Sequence, residues 1–164
     1  MSKKKVTNSK MPLDAPSRRR LPLLLRRAWY GMNQAFRRRI AHLDLTPDQF
    51  TVMRTLLERE GISQRELTAL MSSDPNTVAS LLERMERAGL IERATHEKDR
   101  RTNRLRLKPT GHTKYEAARR IAVALQLQIL RPLATDQREG FLENLDTVAA
   151  ACRLAAADSP KSKK

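Results

Sequence analysis

The stretch GISQRELTALMSSDPNTVASLLERMERAGLIERATHEKDRRTNRLRLKPTG, residues 61–111, decides the fold. Ser63-Gln64-Arg65-Glu66 reads as a capping box, in which the serine takes an N–H three residues on and the glutamate reaches back. It opens a short helix over 64–71 with Leu67, Leu70 and Met71 inward. Ser72 and Ser73 make a turn, and Asp74-Pro75 starts the next helix with an acidic cap and a first-turn proline. That helix runs to Arg87 with Val78, Leu81, Leu82 and Met85 inward, and Gly89 ends it. Strands over Leu90–Thr95 and Arg104–Lys108 follow. In the second, Leu105 and Leu107 face inward while Arg104, Arg106 and Lys108 face out, a period of two. The connection from His96 to Asn103 is a basic tip. Two short helices followed by a basic hairpin are the layout of a winged helix–turn–helix, whose surface suits the grooves of duplex DNA.

Outward from this stretch the chain reads as helix. Leu25, Trp29, Met32, Phe36 and Ile40 recur at spacings of three and four over residues 23–42. Thr46-Pro47-Asp48-Gln49 is a further capping box; Phe50, Met53, Leu56 and Leu57 form the inward face, and Gly61 the stop. Pro109 opens a long helix with Tyr115, Ala118, Ile121, Ala122, Leu125 and Ile129 on its apolar side, closed by Pro132. Thr135-Asp136 is expected to cap a last helix, striped by Phe141, Leu145, Val148, Ala149 and Cys152. The fold class is therefore mainly α with a small two- to three-stranded β wing. Its parts are a disordered basic arm (1–20), a winged helix–turn–helix domain (21–157) and a disordered basic tail (158–164). Within the domain, 45–109 is the DNA-binding part, and 21–43, 110–131 and 135–157 are dimerisation helices. Those outer helices carry more apolar surface than a small winged module needs, and pairing two chains about a two-fold axis would bury it.

Composition bounds the function. The net charge is +15, of which +6 falls in residues 1–20 and +2 in 158–164, leaving +7 for 21–157. Such an excess favours a polyanionic partner. A single cysteine, Cys152, excludes an internal disulfide framework and fits a reducing compartment. No apolar run approaches the roughly 20 residues of a membrane span, and Met1-Ser2-Lys3-Lys4-Lys5 lacks the apolar region of a signal peptide. The expected location is cytoplasmic, with no membrane partner. His42, His96 and His112 are scattered without ligand spacing, so no metal site is expected. Phosphate loops, nucleophile elbows and paired carboxylates are missing, so the chain reads as no enzyme, with no catalytic residue and no cofactor.

Leu45-Thr46-Pro47-x-Gln49-Phe50, Thr77-Val78, Leu82-Glu83-Arg84-x-Glu86-x-x-Gly89-Leu90-Ile91-x-Arg93, Asp99-x-Arg101 and Leu107-x-Pro109-x-Gly111 occur in this order. Together they resemble the MarR family of bacterial transcriptional regulators, over residues 21–157. The resemblance implies an obligate dimer, made by the first and last two helices, that binds palindromic operators and is released by ligands or oxidation. Two departures stand out. Ser80 occupies a position where relatives often place a basic residue, and Lys108 replaces a threonine before the proline of the fifth helix. Peroxide-sensing relatives use a cysteine near the first helix, whereas Cys152 lies on the last, where a buried inert thiol is expected.

The DNA surface follows from the inward residues of helix 75–87, which leave Asn76, Thr77, Ser80 and Arg84 toward the other side. Asn suits adenine edges, Thr and Ser several acceptors or a thymine methyl, and Arg guanine or phosphate. Gln64 and Ser73 join this surface, and the N–H groups of the helix start are expected to be free for a phosphate. In the wing, Arg100, Arg101 and Arg104 face phosphates. Arg101 is expected to enter a minor groove while Asp99 accepts its hydrogen bond. Arg27, Trp29, Phe36, Phe50 and Met53 could line a cleft for a small aromatic effector, although an ordinary core is the favoured reading of the same residues. The function expected is a homodimeric repressor of palindromic operators, with double-stranded DNA as partner. The alternative is a basic architectural protein with little sequence preference and no effector; a helical module meeting a protein or membrane is a third reading that the wing disfavours.

Overall fold

The computed structural model describes residues 20–158 apart from 60, 72, 97 and 98, and of residues 94–103 it describes the backbone alone. The basic arm before Arg20, the tail after Asp158 and the turn residue Ser72 lie outside the described residues. Among the described residues six α-helices and one hairpin follow in the order α1 (Leu21–Ile40), α2 (Pro47–Glu58), α3 (Gln64–Met71), α4 (Pro75–Arg87), β1 (Ile91–His96), β2 (Asp99–Leu107), α5 (Pro109–Leu130) and α6 (Arg138–Ala157). Single 3-10 turns follow α1 (Ala41–Leu43) and precede α6 (Thr135–Gln137). The chain divides into two compact units between Ile121 and Ala122, within α5.

The helix boundaries of the first unit are set by local chemistry. Thr46 Oγ accepts from the Gln49 N–H at 3.2 Å while the Gln49 side chain accepts from the Thr46 N–H at 2.9 Å, so α2 opens on a complete capping box. Ser63 and Glu66 make the same exchange at the start of α3. Helix α4 ends in a Schellman motif. Gly89 N–H donates to Glu86 O, Leu90 N–H donates to Met85 O, and Gly89 supplies the left-handed φ of +67°. The core gathers Ile40, Val52, Met53, Leu67, Leu82 and Met85, with Leu90, Ile91 and Leu105 brought in by the hairpin. Phe36 meets Phe50 edge-on at 5.0 Å between ring centroids, and Phe50 stacks on Tyr115 at 5.4 Å, tying α1, α2 and α5 together.

The hairpin is antiparallel, pairing Ile91 with Leu107 and Arg93 with Leu105, with an irregularity at Thr95/His96. Ser63 forms an isolated bridge to Arg104, so a third short segment lines β2. Strand β2 is longer than the sequence implies: it begins at Asp99, not Arg104, and the residues between the strands are only 97 and 98. Polar, basic residues carry no apolar alternation, which is why the segment reads as a loop in sequence although its backbone pairs as a strand.

The second unit holds the end of α5, a 3-10 turn and α6. Thr135 does not cap α6. It opens the 3-10 turn, and the residue before α6, Gln137, makes no side-chain cap bond. Arg138 Nε instead donates to Leu133 O at 3.2 Å and fastens the helix start. None of the residues of α6 is buried, and Cys152 is exposed in the chain, not buried as expected. No helix among the described residues is long and apolar enough to cross a membrane.

Candidate nucleic-acid interface

Helix α4 presents two different sides. Val78, Leu81, Leu82 and Met85 are buried, while Asn76, Thr77, Ser80 and Arg84 are exposed. Asn76, Ser80 and Arg84 are spaced by four and share one stripe. Thr77 lies beside it.

The start of α4 differs from expectation. Asp74 caps the helix, its Oδ1 accepting from the Asn76 N–H at 2.9 Å and the Thr77 N–H at 3.0 Å. These are the N–H groups expected to be free for a phosphate, and a carboxylate already occupies them. The Thr77 hydroxyl also donates to Asp74, at Oδ2. Its proton is therefore committed, and Thr77 retains a methyl group and an acceptor oxygen for any outside partner. The hydroxyl and N–H donors of Thr77, with that of Asn76, hold the Asp74 carboxyl below its usual range. Ser73, just before the cap, is half-buried and its N–H donates to Thr68 O at 3.5 Å.

Gln64, the first residue of α3, is half-buried, and Arg93 Nη1 donates to its Oε1 at 3.2 Å. Arginine has donors only, so the amide oxygen must face it, and what remains of Gln64 for another partner is its NH2 group. Arg93 Nε also meets Glu86 Oε2 at 3.2 Å. One guanidinium on β1 thus touches both α3 and α4. Sequence reading noted Arg93 only as a family marker and missed this role.

The wing residues divide. The backbones of Asp99, Arg100 and Arg101 belong to β2, but their side chains, and with them the expected Asp99–Arg101 hydrogen bond, lie outside the described residues. Arg104 does not stand out from the sheet as expected. Its Nη1 donates to Gly61 O at 2.7 Å and lies 3.8 Å from Glu66 Oε2, because the Ile62–Ser63 segment runs along β2 and brings acceptors to it.

Of the residues expected around an effector cleft, Phe36, Phe50 and Met53 are buried in the packed interior. Arg27 and Trp29 are exposed on α1, Trp29 by 60%. The structure does not gather the five around one cleft within the chain. Among the described residues no group of three or more His, Cys, Asp or Glu is placed to hold a metal ion.

Comparison with known proteins agrees with this arrangement. A family model described as the MarR family matches residues 45–102, from the approach to α2 into β2. The transcriptional regulator HosA of Escherichia coli O127:H6 is 30% identical over 125 residues, covering 73% of this chain and 93% of HosA. Among solved structures, the transcriptional repressor CouR bound to a 23-mer DNA duplex superposes with a TM-score of 0.74 at 27% identity. That match covers 86% of this chain and 99% of CouR. A probable transcriptional regulator from Pseudomonas aeruginosa gives 0.70 at 27% identity, covering 84% and 99%.

Proposed function

This chain belongs to the MarR family of winged helix–turn–helix regulators, and from that premise we propose that it is a homodimeric, sequence-specific DNA-binding repressor of palindromic operators. The observation that carries the reading is the exposed stripe Asn76–Ser80–Arg84 on a helix whose opposite side is fully buried. Such a helix can enter a major groove without unpacking, and its side chains offer donors and acceptors suited to base edges and phosphates. CouR, a repressor solved on a duplex, shares the fold over most of both chains. We assign Gln64, Ser73 and Thr77 to the same surface as the stripe, and to Arg100, Arg101 and Asp99 of the hairpin the contact with an adjacent minor groove.

The dimer is supported by apolar surface left open in each unit. Helix α1 exposes Leu21, Leu24, Trp29 and Met32, and α6 exposes Phe141, Leu145 and Leu154. Large apolar side chains at this density are costly in water unless a second copy covers them. A two-fold pair would then present two α4 helices to half-sites about one DNA turn apart, ~10 bp. Release by an aromatic ligand receives less support, since Phe36, Phe50 and Met53 are engaged in packing. Such a ligand would have to use the exposed Arg27 and Trp29.

Selection of bound duplexes from a random pool by the full chain tests the proposal. A palindrome is expected, preferred over random duplex by roughly 10³-fold or more in competition. Uniform affinity with a steep salt dependence would instead identify a basic architectural protein.

A further inference from the structure

The hairpin is fastened to the helix–turn–helix at the start of α3, and Arg104 is the centre of the fastening. Its Nη1 donates to Gly61 O at 2.7 Å, the carbonyl just before α3's capping segment. The same nitrogen lies 3.8 Å from Glu66 Oε2, the oxygen that accepts from both the N–H and the hydroxyl of Ser63 at 2.7 Å. Beside it the backbone runs on as a ladder: Ser63 bridges Arg104, and the Leu105 N–H donates to Ile62 O at 3.0 Å. Arg104 Nε is out of solvent with no hydrogen-bond partner among the described residues. A guanidinium desolvated on one side and bonded to a main-chain carbonyl on the other is held toward the protein.

We propose that Arg104 is a positioning residue, which sets the hairpin against α3 and leaves the phosphate contacts to other wing residues. The inference rests on the DNA-binding function proposed above for its consequence, and on the fold alone for its cause. A residue of the wing contributes to operator affinity in two ways. It can neutralise a phosphate and release a counterion, which lowers the salt dependence when it is removed. Or it can fix the angle between the hairpin and α4, so that both reach their grooves together, which leaves the salt dependence unchanged. With its charge facing Gly61 O and Glu66, Arg104 belongs to the second kind.

The test is Arg104→Gln in the full chain, read in two ways. Without DNA, hydrogen exchange at the Leu105 amide should accelerate by roughly five-fold or more, because that bond opens locally once the clasp is gone. With the selected operator, the dissociation constant should rise by up to roughly ten-fold, because a hairpin freed from α3 has to be ordered again on binding. The slope of log affinity against log salt should stay at the wild-type value. A slope shallower by about 0.9 would show a phosphate contact and overturn the proposal. Wild-type exchange at Leu105 would overturn it as well. If the glutamine variant does not fold, Arg104→Lys carries the test: it keeps the charge but its ammonium sits on a shorter stem and falls short of Gly61 O, so Leu105 exchange should still accelerate. A wild-type rate in that variant would refute the clasp. The exchange measurement involves no DNA, so a wild-type chain without operator preference would sink the functional reading and leave the clasp to be judged on exchange alone.

Discussion

Gly111 sits in the first turn of α5, where that helix crosses the start of β1. A Cβ built on it would lie 2.3 Å from the carbonyl oxygen of Leu90 and 2.6 Å from Leu107 Cδ1. The leucine methyl can rotate away; the carbonyl cannot. Leu90 O is pinned by the Lys108 N–H at 2.9 Å, and Leu90 N–H is itself bound to Met85 O in the motif that ends α4. Relieving the clash therefore means moving α5 away from the end of α4 and the start of the hairpin. Overpacking of this kind costs about 1–3 kcal/mol, and the backbone collision places Gly111→Ala toward the upper end. Alanine returns up to ~1 kcal/mol of helix propensity, less in a first turn than in an interior. The net expectation is a destabilisation of about 1–2 kcal/mol. For a chain of this size each kcal/mol lowers the melting temperature by roughly 2–4 °C, so the variant should melt roughly 2–8 °C below wild type. The assay is thermal unfolding followed by far-ultraviolet circular dichroism, at one fixed protein concentration because the proposed dimer would make the midpoint concentration-dependent. A variant as stable as wild type would refute the close approach of α5 to Leu90.

Three further perturbations probe other parts of the molecule. Ser80→Lys adds a cation to the exposed stripe of α4, where folding is untouched; the salt slope should steepen by about 0.9 for each phosphate the new lysine meets, and an unchanged slope would place α4 away from DNA. Glu66 accepts from the Ser63 backbone and hydroxyl, which hold its pKa below the usual value. A depressed folded-state pKa favours the ionised native form, so its stabilisation is complete above the unfolded-state pKa and disappears as pH falls through the folded one. Urea midpoints should accordingly fall on acidification, and less steeply in Glu66→Gln; equal slopes would mean that the ionised cap contributes nothing. Phe50→Ala removes both ring pairings, with Phe36 and Tyr115, and should cost about 3–5 kcal/mol in denaturant unfolding; a change under ~1 kcal/mol would show that the ring is not part of the core.

The helix starts and stops were legible because their chemistry is local. Thr46 with Gln49, Ser63 with Glu66, and Asp74 before Pro75 each complete their bonds within three residues, and Gly89 needs only its own backbone conformation. Arginine partners were not legible. Arg93 finds Gln64 at 29 residues' separation and Arg104 finds Gly61 at 43, distances over which sequence carries no register. Charge alternation in β2 placed Arg104 on the solvent side, and only the third segment along the sheet turns that position inward. The stripe of α1 teaches a similar lesson. Spacing identified Trp29 and Phe36 as one apolar side, yet Phe36 is buried and Trp29 exposed, because periodicity reports an apolar face and not what covers it.

The cap of α4 has a consequence for how the surface divides its work. A helix start usually attracts anions through its open N–H groups and dipole. Here Asp74 satisfies two of those groups and brings a negative charge to the same end, while Arg84 and Arg87 stand in the last turn. That distribution stabilises the isolated helix and makes its beginning a poor seat for a phosphate. On the proposed function, α4 then approaches DNA through the side chains of its exposed stripe, whose value depends on the bases they meet. Of the net +7 that residues 21–157 carry, +5 falls on the hairpin segment from Arg93 to Lys108, which has seven basic residues and two acids. Of these, Arg93 and Arg104 are turned toward α3 and α4. Substitutions in the α4 stripe that add no charge should therefore change which duplex is preferred and leave the salt slope nearly intact. Neutralising Arg100 or Arg101 should do the reverse, weakening all duplexes together and flattening the slope by about 0.9 for every phosphate left without its arginine.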